Sequence, residues 1–582
     1  MLGGLALFLY GMHVMGEGLE KLSGGRLEHI LEKMTDTPLN GVLLGAVVTA
    51  VIQSSSATTV MAVGFVNSGM MTLTQSIGII MGANIGTTVT AWLLSLAGIE
   101  GSNVFISLLK PSSFSPVVAA VGVILLMFTK KQKNKDVGTI LIGFAVLMFG
   151  MQTMSNAVKP LADVPEFGNI LIKFSNPLLG LAAGLLLTAV IQSSSASVGI
   201  LQALSVTGSV SIASSIPIIL GQNIGACSAT LISSTGANKN AKRVAIVHLY
   251  FNLIGAAVFL GGYYLLTLFF DFSFAKSAID ASGIATIHTC FNLITTILLF
   301  PFSKQLVKLA SITLRDKEKT PAAETDSKPV IILDERFLNT PSFAVERCRE
   351  ATVDMAKLSH KAITDALDAM ENYSQDKIDG VVKNEDKLDE YEDKLGSYLV
   401  KLSSKALSEG DSRQISKLLH SIGDFERIGD HALNISDSAK EMHKKGIKFS
   451  DEALAELEVI VGALREIVSM AIQSFENADP QLAANVEPLE QVIDDLKDEL
   501  KERHINRLQK GLCTIELGFI LSDVLSNIER ISDHCSNIAV CVISLEESQF
   551  DTHEYLNRIK NSGEKNFTEA FRAYGKKYSL PR

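Results

Sequence analysis

Four stretches of the chain, residues 41–98, 178–238, 244–270 and 281–303, contain no Asp, Glu, Lys or Arg. Apolar runs this long read as membrane-spanning elements, because a helix needs about 20 residues to cross the hydrocarbon. The pattern predicts ordinary spans at about 1–20, 72–98, 104–128, 138–158, 211–235, 243–266 and 281–302. Asn40–Ile52 and Ala57–Ser68 are too short for this, and Gln53-Ser54-Ser55-Ser56 lies between them. Two half-helices meeting at a polar tip describe a re-entrant hairpin. Beyond about residue 342 the apolar positions take heptad-like spacing and predict long helices at about 342–371, 375–408, 412–444, 451–477, 480–510 and 513–546, with a shorter one at 553–574. Asp479 before Pro480, Ser450, and Asp411 or Ser412 read as N-caps. Residues 305–341 are polar, with Pro321, Pro329 and Pro341, and read as a linker.

The apolar half is duplicated. Adding 139 to a residue number carries Gln53–Ala57 onto Gln192–Ala196. The same offset takes Gly11-Met12 to Gly150-Met151, Pro38 to Pro177, Gly45 to Gly184, and Gly82, Asn84-Ile85 and Gly86 to Gly221, Asn223-Ile224 and Gly225. A gapless register over so many positions marks an internal repeat, with copies at about 1–128 and 138–302.

Charge changes the picture in two ways. Residues 1–310 hold 16 of the 52 Lys/Arg and 11 of the 62 Asp/Glu, so the chain is a near-neutral membrane half (1–304) joined to an acidic, soluble-looking half. The net charge of -10 and the lack of a basic stripe argue against a nucleic-acid partner. The basic loops Lys130–Lys135, Lys239–Arg243 and the stretch after Lys304 are expected in the cytosol, leaving Lys110 and 159–176 outside. The two copies then run in opposite directions, the architecture of many secondary transporters. Leu2–Tyr10 lacks a basic leader and a small-residue cleavage site, so the first span is expected to act as its own signal. The six cysteines include no C-x-x-C pair and read as buried thiols.

A break in a helix at membrane depth survives only when buried in protein or lining a wet cavity. Three hydroxyls at each break supply hydrogen-bonding groups. The half-helix expected to start at Ala57 or Ala196 presents backbone N–H groups and a positive dipole end, an anion site. Hydroxyls and carbonyls also suit a hard cation. No carboxylate lies in either repeat core, which favours sodium over protons as the coupling ion. His248 and His288, each followed four residues later by an Asn (Asn252, Asn292), read as interhelical hydrogen-bonding pairs. Asn84 and Asn223 each lie 31 residues after the motif Gln and are expected to face the site, whereas Thr87-Thr88 and Ala83 correspond to Ala226-Cys227 and Gln222. The ion ligands are therefore unequally shared.

The paired motifs Gln53–Ala57 with Gly82–Gly86 and Gln192–Ala196 with Gly221–Gly225 resemble the type II sodium/phosphate cotransporter family, particularly its bacterial branch, over roughly 1–305. The resemblance implies a sodium-driven phosphate carrier in the cell membrane. Its phosphate and Na⁺ sites are implied at Gln53, Ser54, Ser55, Ser56, Gln192, Ser193, Ser194 and Ser195, with Asn84, Thr87 and Asn223 beside them.

The soluble half carries a second duplication. Glu426-Arg427-Ile428-Gly429-Asp430-His431 returns as Glu529-Arg530-Ile531-Ser532-Asp533-His534 at an offset of 103, and Glu385…Asp389 parallels Glu490…Asp494. Carboxylates one turn apart repel each other, and either a metal on facing helices or a solvated face tied to Arg427 and Arg530 offsets them. This pattern resembles the PhoU family over about 342–546. It implies two three-helix bundles (342–446 and 447–548), a tail (549–582), a role in regulating phosphate uptake, and a metal of unassigned identity at the E-x-x-x-D motifs. The expectation is an all-α protein with inverted membrane repeats, a cytosolic regulatory domain and no catalytic machinery. Its partners would be phosphate, sodium, the bilayer, a second copy of the chain and a cytosolic phosphate-signalling protein. The rival readings are a carrier of another oxyanion or small carboxylate, and a phosphate receptor without turnover.

Overall fold

The computed structural model describes residues 1–23, 30–31, 37–98, 111–164, 166–167, 173–270, 272–315, 333–405, 407–543 and 565–581. The described residues are helical, and their one β pairing is an isolated bridge between Ser211 and Ala278. They form two compact units, residues 1–325 with 334–344, and residues 326–333 with 345–582.

In the first unit the helices are α1 (Leu2–Ser23), α2 (Pro38–Ile52), α3 (Ser55–Asn67), α4 (Leu73–Ser95), α5 (Pro111–Phe128), α6 (Gln132–Val158), α7 (Pro177–Ile191), α8 (Ser194–Ser205), α9 (Ile212–Ser233), α10 (Lys239–Phe269), α11 (Ala281–Leu299) and α12 (Ser303–Thr313). Six described stretches are long and apolar enough to cross a membrane: Leu2–Ser23, Leu73–Ser95, Gln132–Ala162, Ile212–Ser233, Lys239–Phe269 and Ala281–Thr313. The start of the span expected at 104–128, including Lys110, lies outside the described residues.

Glycine sets the helix packing. A Cβ at Gly82 would lie 2.1 Å from the Val42 carbonyl oxygen, and one at Gly221 would lie 2.0 Å from that of Leu181. Only glycine lets α4 press on α2, and α9 on α7, backbone to backbone. Helices α1 and α6 cross in the same manner. A Cβ at Gly11 would meet the Leu147 N at 2.2 Å, and one at Gly150 would meet the Phe8 N at 2.3 Å. Gly4 faces Gly150 and Met154 while Gly18 faces Ile140 and Asp136, so the two helices run antiparallel.

The second unit contains α13 (Pro341–Glu371) from Val345 onward, α14 (Gln375–Ser403), α15 (Glu409–Lys445), α16 (Asp451–Asn477), α17 (Pro480–Ala483), α18 (Val486–Gln509), α19 (Ile515–Ile543) and α20 (Lys565–Lys577). Three sequence expectations need correction here. The helix expected at 480–510 is broken at Ala484-Asn485. In an unbroken helix the Pro488 ring would strike the carbonyl of Ala484, and restarting at Val486 places that proline in a first turn instead. The helix expected from 412 starts at Glu409 on Ser408, whose hydroxyl accepts from the Asp411 N–H (3.0 Å) and donates to the Asp411 carboxylate (2.8 Å). Asp411 is thus the third-residue half of a capping pair and not the cap itself. The thiols are not all buried: Cys290 is exposed and Cys513 half-buried, whereas Cys227, Cys348, Cys535 and Cys541 are buried. Most of the helix expected at 553–574 lies outside the described residues.

The second duplication forms a seam between α15 and α19. His431 Nδ1 bonds Asn527 Oδ1 at 2.8 Å, and His534 Nδ1 bonds Asp424 Oδ1 at 2.9 Å. The offset of 103 carries Asp424 to Asn527 and His431 to His534, so the contacts are images of each other.

Candidate functional site

The two serine motifs fold alike. Gln53 ends α2 and Gln192 ends α7 in the left-handed region, at φ 59° and 57°. Such a conformation is uncommon outside glycine, and it turns the chain sharply into the next half-helix. That half-helix starts at Ser55 and at Ser194, two residues before the expected Ala57 and Ala196. The reason is capping: the Ser54 hydroxyl accepts from the Ala57 N–H and the Ser193 hydroxyl from the Ala196 N–H, both at 3.2 Å. The first serine of each triplet is therefore occupied by its own helix. What the tips still offer are the hydroxyls of Ser55, Ser56, Ser194 and Ser195, and the first-turn N–H groups that helix geometry leaves without intrahelical acceptors.

Around hairpin 1 (α2 and α3, with its tip at Gln53–Ser56), Gln53 accepts from Thr90 (2.9 Å) and its amide donates to the Ala50 carbonyl. Asn84 and Asn223 spend their amide N–H on their own helices, at Ile80 O (2.8 Å) and Ile219 O (2.9 Å). The Asn223 oxygen faces His288 Nε2 at 3.4 Å, and Thr87 bonds back to the Ala83 carbonyl at 2.9 Å. The His-x-x-x-Asn pairs divide their roles. The Asn residues bond back to the carbonyls of His248 (3.1 Å) and His288 (2.9 Å), and both imidazoles, together with the Asn252 amide on Cys227 Sγ (3.4 Å), reach α9. Surface exposure differs between the tips: Gln53 is buried and Gln192 exposed, while Ser194 and Ser195 are buried and Ser55 and Ser56 half-buried.

Each hairpin is also fastened to the other repeat. Thr59 of α3 bonds Thr230 of α9 at 2.9 Å, and Thr230 bonds His248 Nδ1 at 3.0 Å. Reciprocally, Gln202 of α8 donates to the carbonyls of Ala91 on α4 and Ala281 on α11, both at 3.0 Å. Sequence reasoning named His248 as an interhelical partner but passed over Thr59, Thr230 and Gln202, because each looks like an ordinary polar residue within an apolar span. It also passed over a hydroxyl pair that the offset of 139 preserves: Thr49 with Thr58, and Thr188 with Ser197. In repeat 1 the pair is closed, Thr49 bonding Thr58 at 3.0 Å. In repeat 2 the hydroxyls of Thr188 and Ser197 and the oxygen of Gln222 are fully buried without a hydrogen-bond partner among the described residues, and the Gln222 amide donates to the Ser197 carbonyl at 3.0 Å.

In the second unit Glu385, Asp389 and Asp430 bring carboxylate oxygens within 4.8 Å of one another. Burial, then the neighbouring Asp430 and Asp389, push the Glu426 carboxyl up to about 7. Burial followed by Asp389 also raises Glu385. The image set is balanced differently. Lys497 sits 2.7 Å from Glu529, and Arg530 lies 3.9 Å from Asp533; Glu490 and Asp494 belong to the same set.

Comparison with known proteins agrees with this division. Residues 7–156 and 146–281 match the Na+/Pi-cotransporter family model, and residues 352–439 and 460–542 match the PhoU domain. YjbB of Salmonella typhimurium, named as a candidate inorganic phosphate export protein, is 24% identical over 569 residues, covering 95% of this chain and 99% of its own. YqeW of Bacillus subtilis, an uncharacterized protein, is 28% identical over 314 residues, covering 54% of this chain and 97% of its own. The crystal structure of PhoU from Pseudomonas aeruginosa aligns with 36% of this chain and 100% of its own at 24% identity and a TM-score of 0.34. The chain is thus a phosphate-transport-related membrane protein whose N-terminal half matches the Na+/Pi-cotransporter family and whose C-terminal half carries PhoU domains.

Proposed function

We propose that the first unit carries inorganic phosphate across the cell membrane together with Na⁺. The observation that supports this most is the pair of matching serine tips, each offering two uncommitted hydroxyls and a helix N-terminus in a region without a charged side chain. Phosphate would be held by Ser55, Ser56, Ser194 and Ser195 and by the first-turn N–H groups. Gln53, Gln192, Ser54 and Ser193 would shape the tips, and the oxygens of Asn84, Thr87 and Asn223 would line their surroundings. Sodium suits the partnerless buried oxygens of Thr188, Ser197 and Gln222, because an unsatisfied buried oxygen costs about 1–3 kcal/mol and a hard cation would relieve it. The ion ligands are then concentrated in repeat 2. The antiparallel crossing of α1 and α6 is what inverted repeats require, and such repeats work in either direction. An inward Na⁺ gradient would drive uptake, and cytosolic phosphate above what that gradient supports would leave by the same route. The export named for YjbB is consistent with the second case.

The PhoU-like half would lie in the cytosol and regulate this flux. Its first carboxylate set, Glu385, Asp389, Glu426 and Asp430, fits a hard metal ion, because three of its members bring oxygens within 4.8 Å of one another, and burial followed by mutual repulsion raises Glu426 and Glu385. In the second set Lys497 supplies the positive charge.

Labelled phosphate flux in proteoliposomes of the full chain, under imposed gradients of Na⁺, K⁺ or H⁺, tests the proposal. Concentrative flux driven by Na⁺ alone, and reduced at least tenfold by Ser55→Ala/Ser194→Ala, is the expected result. Flux driven equally by the three gradients would sink the sodium coupling. Phosphate binding without any flux would favour a receptor, and competition by sulfate or succinate at equal concentration would point to another anion.

A further inference from the structure

The serine-bearing half-helix of repeat 1 is gripped at its far end by a segment from beyond the last span. Asn67, the final residue of α3, donates to Asp334 Oδ2 at 2.7 Å. It also accepts from the Asn238 N–H at 2.8 Å and, through its carbonyl, from the Asn238 amide at 2.9 Å. Asp334 is paired with Arg336, whose Nε donates to the Ser233 carbonyl at 2.8 Å. The segment therefore ties the end of α3 in repeat 1 to the end of α9 in repeat 2, and the cation suits the negative end of α9. Apolar contact reinforces this. Phe65, Phe337 and Phe343 are fully buried with ring centroids 5.0–5.6 Å apart. Phe337 also lies flush on Gly64, where a Cβ would come within 2.7 Å of its ring.

Two facts mark this as more than a packing detail. The offset of 139 carries Phe65 to Leu204 and Asn67 to Val206, so repeat 2 has neither grip and the repeated fold does not require one. Furthermore, Phe343 stands in the first turn of α13, one uninterrupted helix whose remaining length, from Val345, belongs to the second compact unit.

We propose that Asp334–Phe343 is a built-in tether through which the PhoU-bearing half positions hairpin 1. A 13-residue helix is about 20 Å long and moves as a rod, so a displacement at Asn67 arrives at Ser55 and Ser56. Asn67, Asp334, Arg336 and Phe337 are positioning residues in this scheme and touch no substrate. The proposal rests on the reading above that the first unit carries phosphate held at Ser55 and Ser56 of hairpin 1.

The test uses the full chain in proteoliposomes and two kinds of variant. In Asn67→Cys/Asp334→Cys, oxidation should lock the tether. Maximal phosphate flux should then fall at least fivefold with an unchanged half-saturation concentration, and reductant should restore it. Equal maximal flux in the oxidised and reduced forms would overturn the proposal. Arg336→Ala and Phe337→Ala should release the tether and speed hydrogen–deuterium exchange across residues 55–67, with residues 194–205 unchanged as the internal control. Unaltered exchange at 55–67 would also overturn it. Because exchange needs no transport, a chain without flux would refute the transport reading while the exchange result still decided the tether.

Discussion

At the scale of single residues, a glycine that allows a close approach differs from one that merely occupies a membrane helix. Gly221→Ala puts a methyl group 2.0 Å from a backbone oxygen that cannot swing aside. It should lower stability by about 1–3 kcal/mol, read as a drop in the detergent-solubilised unfolding midpoint. Gly261 has nothing within 4 Å of its would-be Cβ, so Gly261→Ala should leave the midpoint unmoved. Lys417 is a different misfit. It is 2% exposed, with its ammonium 5.3 Å from the Phe475 ring centroid, and burial lowers its pKa from 10.5 to about 8. Below pH 8 the fold thus bears a buried charge. Lys417→Met should stabilise the soluble half at pH 7 by about 1–3 kcal/mol, and the gain should shrink as pH rises towards 10. Of the proposed site, the identities of the serines and glutamines were legible because duplication repeats them. The capping of Ala57 by Ser54 was not legible, because it depends on a backbone turn that residue spacing does not encode. Gln53 holds that turn at a positive φ which no side-chain preference would have assigned to it.

Among the described residues, apolar spacing located the helices, and ends were misread where one polar residue decides them. The start of α15 moved to Ser408 because Asp411 answers that hydroxyl, and Pro488 dictates the restart at Val486. Both signals were present, but each had an equally good use at a neighbouring position. The acidic faces of α14 and α15 carry a pH prediction. Glu426 has its pKa raised to about 7 from an ordinary 4.5, so its contribution to stability is full below pH 4.5 and is lost as pH rises to 7. In protein stripped of divalent ions by chelator, the soluble-half unfolding midpoint should therefore fall between pH 5 and 8, and Glu426→Gln should flatten that fall. An unchanged slope in the glutamine variant would show that the carboxylate is relieved in some other way.

Across the whole molecule, the two duplications are used differently. In the membrane half the copies interlock, each hairpin bonded to the long helices of the other, so that neither repeat satisfies its polar groups alone. In the soluble half they meet along one seam of paired histidines. The soluble duplication does not preserve its electrostatics. Glu392 and Lys497 occupy equivalent places at the offset of 105 that relates Glu385 to Glu490, and this exchange removes the excess negative charge from the second carboxylate set only. Elemental analysis of the purified full chain should accordingly find one tightly held divalent ion per chain, reduced to none by Glu385→Gln/Asp389→Asn. Two ions per chain would mean that Lys497 does not substitute for a metal. Sequence alone could not show this, because it aligns motifs without showing which cation reaches them.

The aromatic trio of Phe65, Phe337 and Phe343 bears on how such a protein can be divided. A chain shortened after its last span would keep every apolar helix, yet it would uncover Phe65 and deprive Asn67 of Asp334. Losing its soluble half there would therefore also damage the surface of the membrane half, and any change in behaviour would mix two causes. A cut after Ala344 separates them, because the first unit then retains its own cover. The two halves meet in sequence near the last span, but their modular joint lies some thirty residues further on, inside the first turn of a helix.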